Sequence, residues 1–315
     1  MEGKIHRMLD SLLAQTKKSF VIYVIDDGSK DKSKDIIVSY IQRFESNGVK
    51  LNYIYQQNAG AASAVNNALK YVNTKYFCLP DADDFYDVQY IEKCVDFLNS
   101  NLDCGIVFTK CNVFKENDLS KPCSFFKRSD HFKCERKKIF RDFYWDKDVY
   151  FCPNYMIRTD AFLSANGGYE IVGGKHGQNY QMILPMAYHS DFGYIDEFLY
   201  NYIIYKNSDS HGKRSLEQRF AHVDGGKDIL MDVLNRIGVK ESELDYYKKE
   251  IFQKNAIQKA YIACDYANRI LLEKYYKIID KKYLSSRLKL LFFVRNIPFS
   301  LQLYSFCKKI RGVFR

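Results

Sequence analysis

The sequence predicts an α/β fold, a doubly wound sheet over the larger part of the chain with a helical extension behind it. Three observations carry this prediction. Short apolar runs alternate with helical patterns between residues 4 and 108, the rhythm of a sheet flanked by helices. The runs Phe20-Val-Ile-Tyr-Val-Ile25 and Tyr76-Phe-Cys-Leu79 are apolar at successive positions, as strands covered on both faces are. Beyond residue 215, Ile251, Ile257, Tyr261, Ile262, Ile270, Leu271 and Ile278 recur at helical intervals amid Lys and Glu.

Taken in order, residues 4–15 place Ile5, Met8, Leu9, Leu12 and Leu13 on one helical face. The strand at 20–25 follows and ends in Asp26-Asp27-Gly28-Ser29-Lys-Asp31-Lys-Ser33, a polar turn into a helix carrying Ile36, Ile37, Tyr40, Ile41 and Phe44. Leu51 to Tyr55 is the next strand, succeeded by Asn58-Ala-Gly60 and an alanine-rich helix through Leu69. The strand at 76–79 runs into Asp81-Ala-Asp83-Asp84, then a helix over 88–99 and a strand from Gly105 to Phe108. Residues 110–150 mix Lys, Phe and Cys without clean periodicity. Within them Phe143-Tyr144-Trp145 reads either as core or as a platform on which a sugar stacks.

Composition narrows the class. With 315 residues, 47% of them hydrophobic, one enzyme-sized domain plus a smaller appendage is expected. Only 5 Pro and 16 Gly argue against disorder. Nine cysteines without a CxxC pair suit neither a disulfide framework nor a zinc site, and fit a reducing cytosol. There is no signal peptide and no apolar run long enough to cross a bilayer. The net charge of +10 is uneven: residues 281–315 hold nine Lys/Arg and no acid, leaving 39 basic against 38 acidic groups elsewhere. A nearly neutral body weakens a nucleic-acid reading, and no nucleic-acid partner is expected.

The stretch most suggestive of chemistry is Asp81-Ala-Asp83-Asp84. Carboxylates crowded at a strand end repel one another unless a cation sits among them. Hard oxygen donors suit Mg²⁺ or Mn²⁺, with substrate phosphates completing the shell. The plain alternative is a solvated acidic turn or the cap of the following helix. In a doubly wound sheet, ligands collect beyond the carboxyl ends of the strands. The turn at 26–31 and the carboxylates at 81–84 both belong to that edge.

The succession Ser11-Leu-Leu-Ala-Gln15, Val24-Ile-Asp26-Asp27-Gly28-Ser29-x-Asp31, Asn58-x-Gly60 and Asp81-Ala-Asp83-Asp84 resembles a family 2 glycosyltransferase of GT-A fold. The likeness covers roughly residues 4–215, with the motifs in the family's order and spacing. It implies a nucleotide-sugar site built from Asp26, Asp27, Ser29, Asn58, Gly60 and Asp81. It also implies a divalent cation, Mg²⁺ or Mn²⁺, on Asp81 and Asp83, with His211 in the loop Tyr205-Lys-Asn207-Ser208-Asp-Ser210-His211 as a further ligand. Gly167-Gly-Tyr169-Glu170 is similar to the family's sugar-side turn.

Three departures stand out. The strand and loop with which the family opens are missing before the first helix. The usual Arg of an Ala-Arg-Asn element is Val65. The Glu-Asp pair that usually provides the base is Gln178-Asn179, whose amides take up no proton at neutral pH. Gly177-Gln-Asn-Tyr-Gln181 nevertheless resembles an element of a polysaccharide-building subgroup. Glu170 and Asp191 are then the nearest carboxylates for a general base.

The resemblance implies an inverting transferase moving a sugar from a UDP-sugar to a glycan or lipid-linked acceptor in surface polysaccharide synthesis. The competing reading is a truncated or degenerate protein that binds a nucleotide sugar or a partner without turnover. The expected organisation is a GT-A-like domain over 1–215, a helical extension over 216–284 and a basic amphipathic tail over 285–315. In the tail Phe299, Leu303, Phe306, Ile310 and Val313 form a stripe. Such a segment suits an anionic membrane, placing the protein in the cytoplasm, peripheral on the inner face of the plasma membrane.

Overall fold

The computed structural model describes residues 1–126, 140–142, 145, 152–168, 170–172, 177–206 and 214–304. By packing, the chain falls into two compact units, Met1–His211 and Gly212–Arg315, where the sequence suggests three segments divided at 215 and 284.

The first unit opens with α1 (Ile5–Leu13), whose Ile5, Met8, Leu9 and Leu12 are buried as their spacing demands. β1 (Val21–Asp27), α2 (Ser33–Glu45) and β2 (Lys50–Gln56) form one parallel β-α-β unit. β1 bonds to β2 alone among the described residues. The apolar run at 20–25 leads one to expect burial on both faces. Val21 to Ile25 are instead half-buried, because a strand paired on one side has fewer neighbours to cover it.

After α3 (Ala61–Leu69) come β3 (Tyr76–Phe77), β4 (Phe85–Tyr86), α4 (Tyr90–Ser100), β5 (Cys104–Lys115), β6 (Ser124–Phe126), β7 (Tyr155–Arg158), α5 (Thr159–Asn166), α6 (Gln178–His189) and β8 (Asp191–Ile204). The six strands make a second sheet of order β3-β7-β5-β8-β4, with β6 added on β5. β5 and β8 run parallel and every other pair is antiparallel. The antiparallel β4 and β7, two and four residues long, are among the elements that apolar periodicity misses, with β6, α5, α6 and β8. Met8 and Leu9 of α1, Phe44 of α2, Cys94 and Leu98 of α4 and Val107 of β5 share one core. Each such side chain contributes about 1.5–3 kcal/mol by leaving water.

Two features of β8 set up the site. A Cβ at Gly193 would lie 2.1 Å from the Phe97 ring, so glycine lets α4 press against the strand. The register against β5 then slips around Lys110, with Thr109 opposite Ile195, Lys110 opposite Phe198 and Cys111 opposite Tyr200. The extra residues bulge β8 just before Tyr200, and a bulge re-aims the side chains that follow it.

The second unit is helical. α7 (Leu216–Arg236) begins with a capping box between Ser215 and Gln218, and α8 (Glu241–Asp265), α9 (Arg269–Ile278) and α10 (Ser286–Val294) follow. Ala256, Ala260, Ala263 and Cys264 of α8 form its core with Leu272 and Ile279. The segment after 285, read from sequence as a basic tail, contributes Leu288, Leu291 and Leu301 to that core. Among the described residues no helix is long and apolar enough to cross a membrane.

Candidate active site

Two loops at the ends of β1 and β2 are tied together by one carboxylate. Asp27 Oδ1 accepts hydrogen bonds from Gln56 Nε2 (2.8 Å) and Ala59 N (2.8 Å), and Oδ2 accepts one from Gly60 N (2.9 Å). Asn58 Nδ2 donates to the Asp27 carbonyl at 2.9 Å. Burial works against ionisation here, but the donors from Ala59, Gln56 and Gly60 outweigh it and hold the carboxyl below its usual value. Gly28 sits at φ +77°, and a Cβ there would meet the Asn58 backbone nitrogen at 2.8 Å. Glycine is therefore what lets the two loops touch. Asp26 is buried, with Oδ1 accepting from Ser29 N (2.8 Å) and Oδ2 from the Tyr53 hydroxyl (2.6 Å). Burial again opposes the charge, and Tyr53 and Ser29 again lower the carboxyl despite it. The structure thus brings Asp26, Asp27, Ser29, Asn58 and Gly60 together as one fixed lip.

The turn 81–84 is organised by tyrosines on β8 and just after it. The Tyr200 hydroxyl donates to Asp84 Oδ2 at 2.7 Å and accepts from Asp81 N at 3.3 Å. Ile203 N donates to Asp84 Oδ1 at 2.9 Å. Asp84 is thereby a buried strut, pushed up to about 8 by burial and, after that, by the charge of Asp81. The Tyr205 hydroxyl donates to the Asp83 carbonyl at 3.0 Å and accepts from Arg7. Lys4 Nζ lies 3.6 Å from Asp83 Oδ2 and 3.3 Å from the centre of the Tyr205 ring. Nearby on the same stretch, Glu2 N donates to Asp31 (3.1 Å) and Glu2 accepts from Lys32 N (2.8 Å). Residues 2–4 therefore bridge the turn after β1 and the carboxylates at 81–84.

A third side is built from α3 and α6. Asn66 makes two hydrogen bonds to the backbone of Ile171, at 2.6 and 2.8 Å, and Gln181 makes two to the backbone of Val172, at 2.7 and 3.0 Å. Glu170 adjoins this pinned segment. Asn179, in the first turn of α6, accepts from the Tyr155 hydroxyl at 2.8 Å. Tyr155 is fully buried, and its hydroxyl is raised by burial first and the charge of Asp81 second. Tyr155 thus holds Asn179, and Gln178 stands beside it at the start of α6.

Asp191 is not brought there. It opens β8 opposite Cys104, whereas the Tyr200 that holds Asp84 faces Cys111. Seven residues of β5 separate those partners, about 23 Å at roughly 3.3 Å per residue. Tyr169, His211, Phe143 and Tyr144 lie outside the described residues.

Asp81 and Asp83 are the residues that could hold a divalent cation. Burial, with the charge of Asp83 next, raises Asp81 to about 7, the mark of a carboxylate whose ionised form lacks a positive partner. Two carboxylates joined by substrate phosphates are a usual Mg²⁺ shell. No described cluster of three or more His, Cys, Asp or Glu could hold a metal alone. The phenols of Tyr53, Tyr155, Tyr200 and Tyr205 escape sequence reasoning. For Tyr200 the one signal is its alternation with Tyr202 on β8, among 26 tyrosines.

Comparison with known proteins bears on the family and the fold. Residues 2–163 match the family model described as glycosyl transferase family 2. The chain is 35% identical over 131 residues to an uncharacterised glycosyltransferase of Rickettsia typhi. It is 24% identical over 242 residues to chondroitin synthase of Escherichia coli and 23% over 285 residues to hyaluronan synthase of Pasteurella multocida. These alignments take in 42%, 75% and 88% of this chain and 39%, 32% and 26% of those proteins. The chain therefore spans a minority of each relative's length. Among solved structures, S. aureus TarS 1–349 in complex with UDP-GlcNAc superposes with a TM-score of 0.60 at 16% identity, over 96% of this chain and 85% of that one. At such identity the likeness concerns the fold.

Proposed function

The chain belongs to glycosyl transferase family 2, and from that premise we propose that it moves a sugar from a UDP-sugar to a glycan or lipid-linked acceptor, with inversion at the anomeric carbon. The observation that carries the donor assignment is the pairing of two built features, the lip fixed by Asp27 and the carboxylate turn of Asp81 and Asp83. Residues 2–4 bridge the two. A nucleoside diphosphate sugar needs both, one for the nucleoside and one for the diphosphate.

In the proposed reaction the acceptor hydroxyl attacks the anomeric carbon as the bond to the diphosphate breaks on the opposite face, through an oxocarbenium-like state. The new bond takes its electron pair from the acceptor oxygen, UDP leaves with the old pair, and the hydroxyl proton passes to a base. A bound Mg²⁺ or Mn²⁺ supplies compensation for the charge that gathers on the departing diphosphate. Asp81 and Asp83 would hold it, and Asp84 keeps the turn in shape through Tyr200 and Ile203. Glu170 is the carboxylate proposed as base. It adjoins the segment pinned to α3 and α6, while Asp191 is at the wrong end of β8.

Substitution of Glu170 by Gln is expected to lower turnover about 100-fold or more with donor binding unchanged in calorimetry. Equal turnover would remove Glu170 from the role. A second reading, donor binding without turnover, is favoured by the amides at Gln178 and Asn179 and predicts tight UDP-sugar binding with no UDP release. The acceptor's attachment to lipid and the protein's place on the inner face of the plasma membrane belong to the same proposal, motivated by the acid-free basic stretch 281–315.

A further inference from the structure

The outer face of the C-terminal segment is apolar where a water-facing surface is ordinarily polar. On α10, Leu288 and Leu291 point into the helical core, while Leu290 and Phe293 are 61% and 79% exposed. At about 100° per residue, Leu290 and Phe293 fall opposite the buried pair, with Lys289 and Arg287 flanking them. Past the helix Ile297 (53%), Phe299 (76%) and Leu303 (62%) are exposed as well, extending the row of outward apolar side chains along the chain.

Local hydrogen bonds and ring contacts hold the backbone of this row. Ser300 Oγ donates to the Val294 carbonyl at 2.7 Å, Ile297 N to the same carbonyl at 2.9 Å, and Leu303 N to the Phe299 carbonyl at 2.8 Å. The Arg295 guanidinium lies 3.7 Å above the Phe292 ring, which stacks on Tyr276 of α9 at 3.7 Å. Phe299 itself sits at φ +62°, a conformation that a bulky residue adopts at a cost. A strained backbone that displays a phenylalanine to the outside is a reason to look for function there.

Charge selects the partner. Residues 281–304 carry Lys281, Lys282, Arg287, Lys289 and Arg295 and no acid. A protein partner would have to bury an apolar row flanked by Arg287 and Lys289, whereas an anionic bilayer offers both an acyl layer and negative headgroups. We propose that the helical unit docks on an anionic phospholipid bilayer through Leu290, Phe293, Ile297, Phe299 and Leu303, with Arg287 and Lys289 on the headgroups. α10 has nine residues, far short of the roughly 20 a spanning helix needs, so it lies in the interface. The inference rests on the membrane part of the proposed function and names its surface, which is built into a folded core.

The test is flotation of the full chain with phosphatidylcholine vesicles, with and without phosphatidylglycerol, at low and high salt. Floating with the anionic vesicles and weaker floating with the neutral ones is expected. F293S together with F299N should reduce attachment roughly tenfold or more. Because Asn tolerates positive φ, F299N alone should keep or raise the melting temperature, which separates attachment from folding. R287Q with K289Q should weaken attachment at low salt and leave a salt-resistant remainder. A full chain that stays unbound at low salt, or an apolar variant that floats equally well, overturns the proposal. So does a wild-type dimer that the apolar variant turns into monomer, since a second copy is then the occupant. UDP-sugar calorimetry on the same samples reads the donor assignment separately, so failure of one claim is not mistaken for failure of the other.

Discussion

At the scale of residues, the three carboxylates that look alike in sequence have three different roles. Asp84 is saturated by Tyr200 and Ile203, Asp83 faces Lys4, and Asp81 is raised with no donor to its oxygens among the hydrogen bonds described. D83A is therefore expected to abolish metal-dependent UDP-sugar binding in calorimetry while leaving the melting temperature within a few degrees. Unchanged binding would remove the metal assignment. A pH effect follows as well. In the metal-free protein Asp81 and Asp84 lie near 7 and 8, against about 4 in an unfolded chain. Between those values the folded state binds more protons, so their contribution is full below about pH 4 and is lost as pH rises toward 8. Melting temperature in EDTA should fall from pH 5 to 8, and D84N should flatten that fall. A wild-type melting temperature insensitive to this window would contradict the buried-carboxyl picture. The sequence shows that 81–84 is special but not which Asp is the strut, because that is decided by tyrosines more than a hundred residues away.

At the scale of elements, the lip between β1 and α3 is the most constrained piece. D27A removes an acceptor from two backbone N–H groups and an amide, and is expected to cost about 2–3 kcal/mol. It should weaken UDP and UDP-sugar alike in titration calorimetry, and selective loss of one donor would point to a different role. G28A places a Cβ 2.8 Å from the Asn58 nitrogen and should cost about 1–3 kcal/mol in chemical denaturation. A neutral effect would mean the loops are not in contact. The elements with long periodic patterns were legible. α1 and α4 fall within two residues of the helices expected over 4–15 and 88–99, and α2 takes in Ile36 to Phe44 as expected. β4 and β7 were not, since their pairing with β8, β5 and β3 is set by the sheet. The half-buried state of β1 was hidden too, because an apolar run reports what a strand can bury and not which neighbours it has.

At the scale of the whole molecule, the order of motifs gave the fold of the first unit and its family, while charge pattern alone gave the character of the last segment. Packing was not readable there: the stripe drawn through Phe299 and Leu303 is real as a surface, but Leu288, Leu291 and Leu301 on the other side make it part of a core. Phe306, Ile310 and Val313 lie outside the described residues. The central claim is that this chain uses a UDP-sugar, and it is tested most directly by UDP release across a panel of nucleotide sugars. The panel should be run with Mn²⁺ or Mg²⁺ and lipid-linked acceptors, for the full chain and for D83A. Metal-dependent UDP release from one donor, absent with EDTA and absent in D83A, is the expected result. Metal-independent release that D83A retains, or failure of every nucleotide sugar to bind, would contradict it.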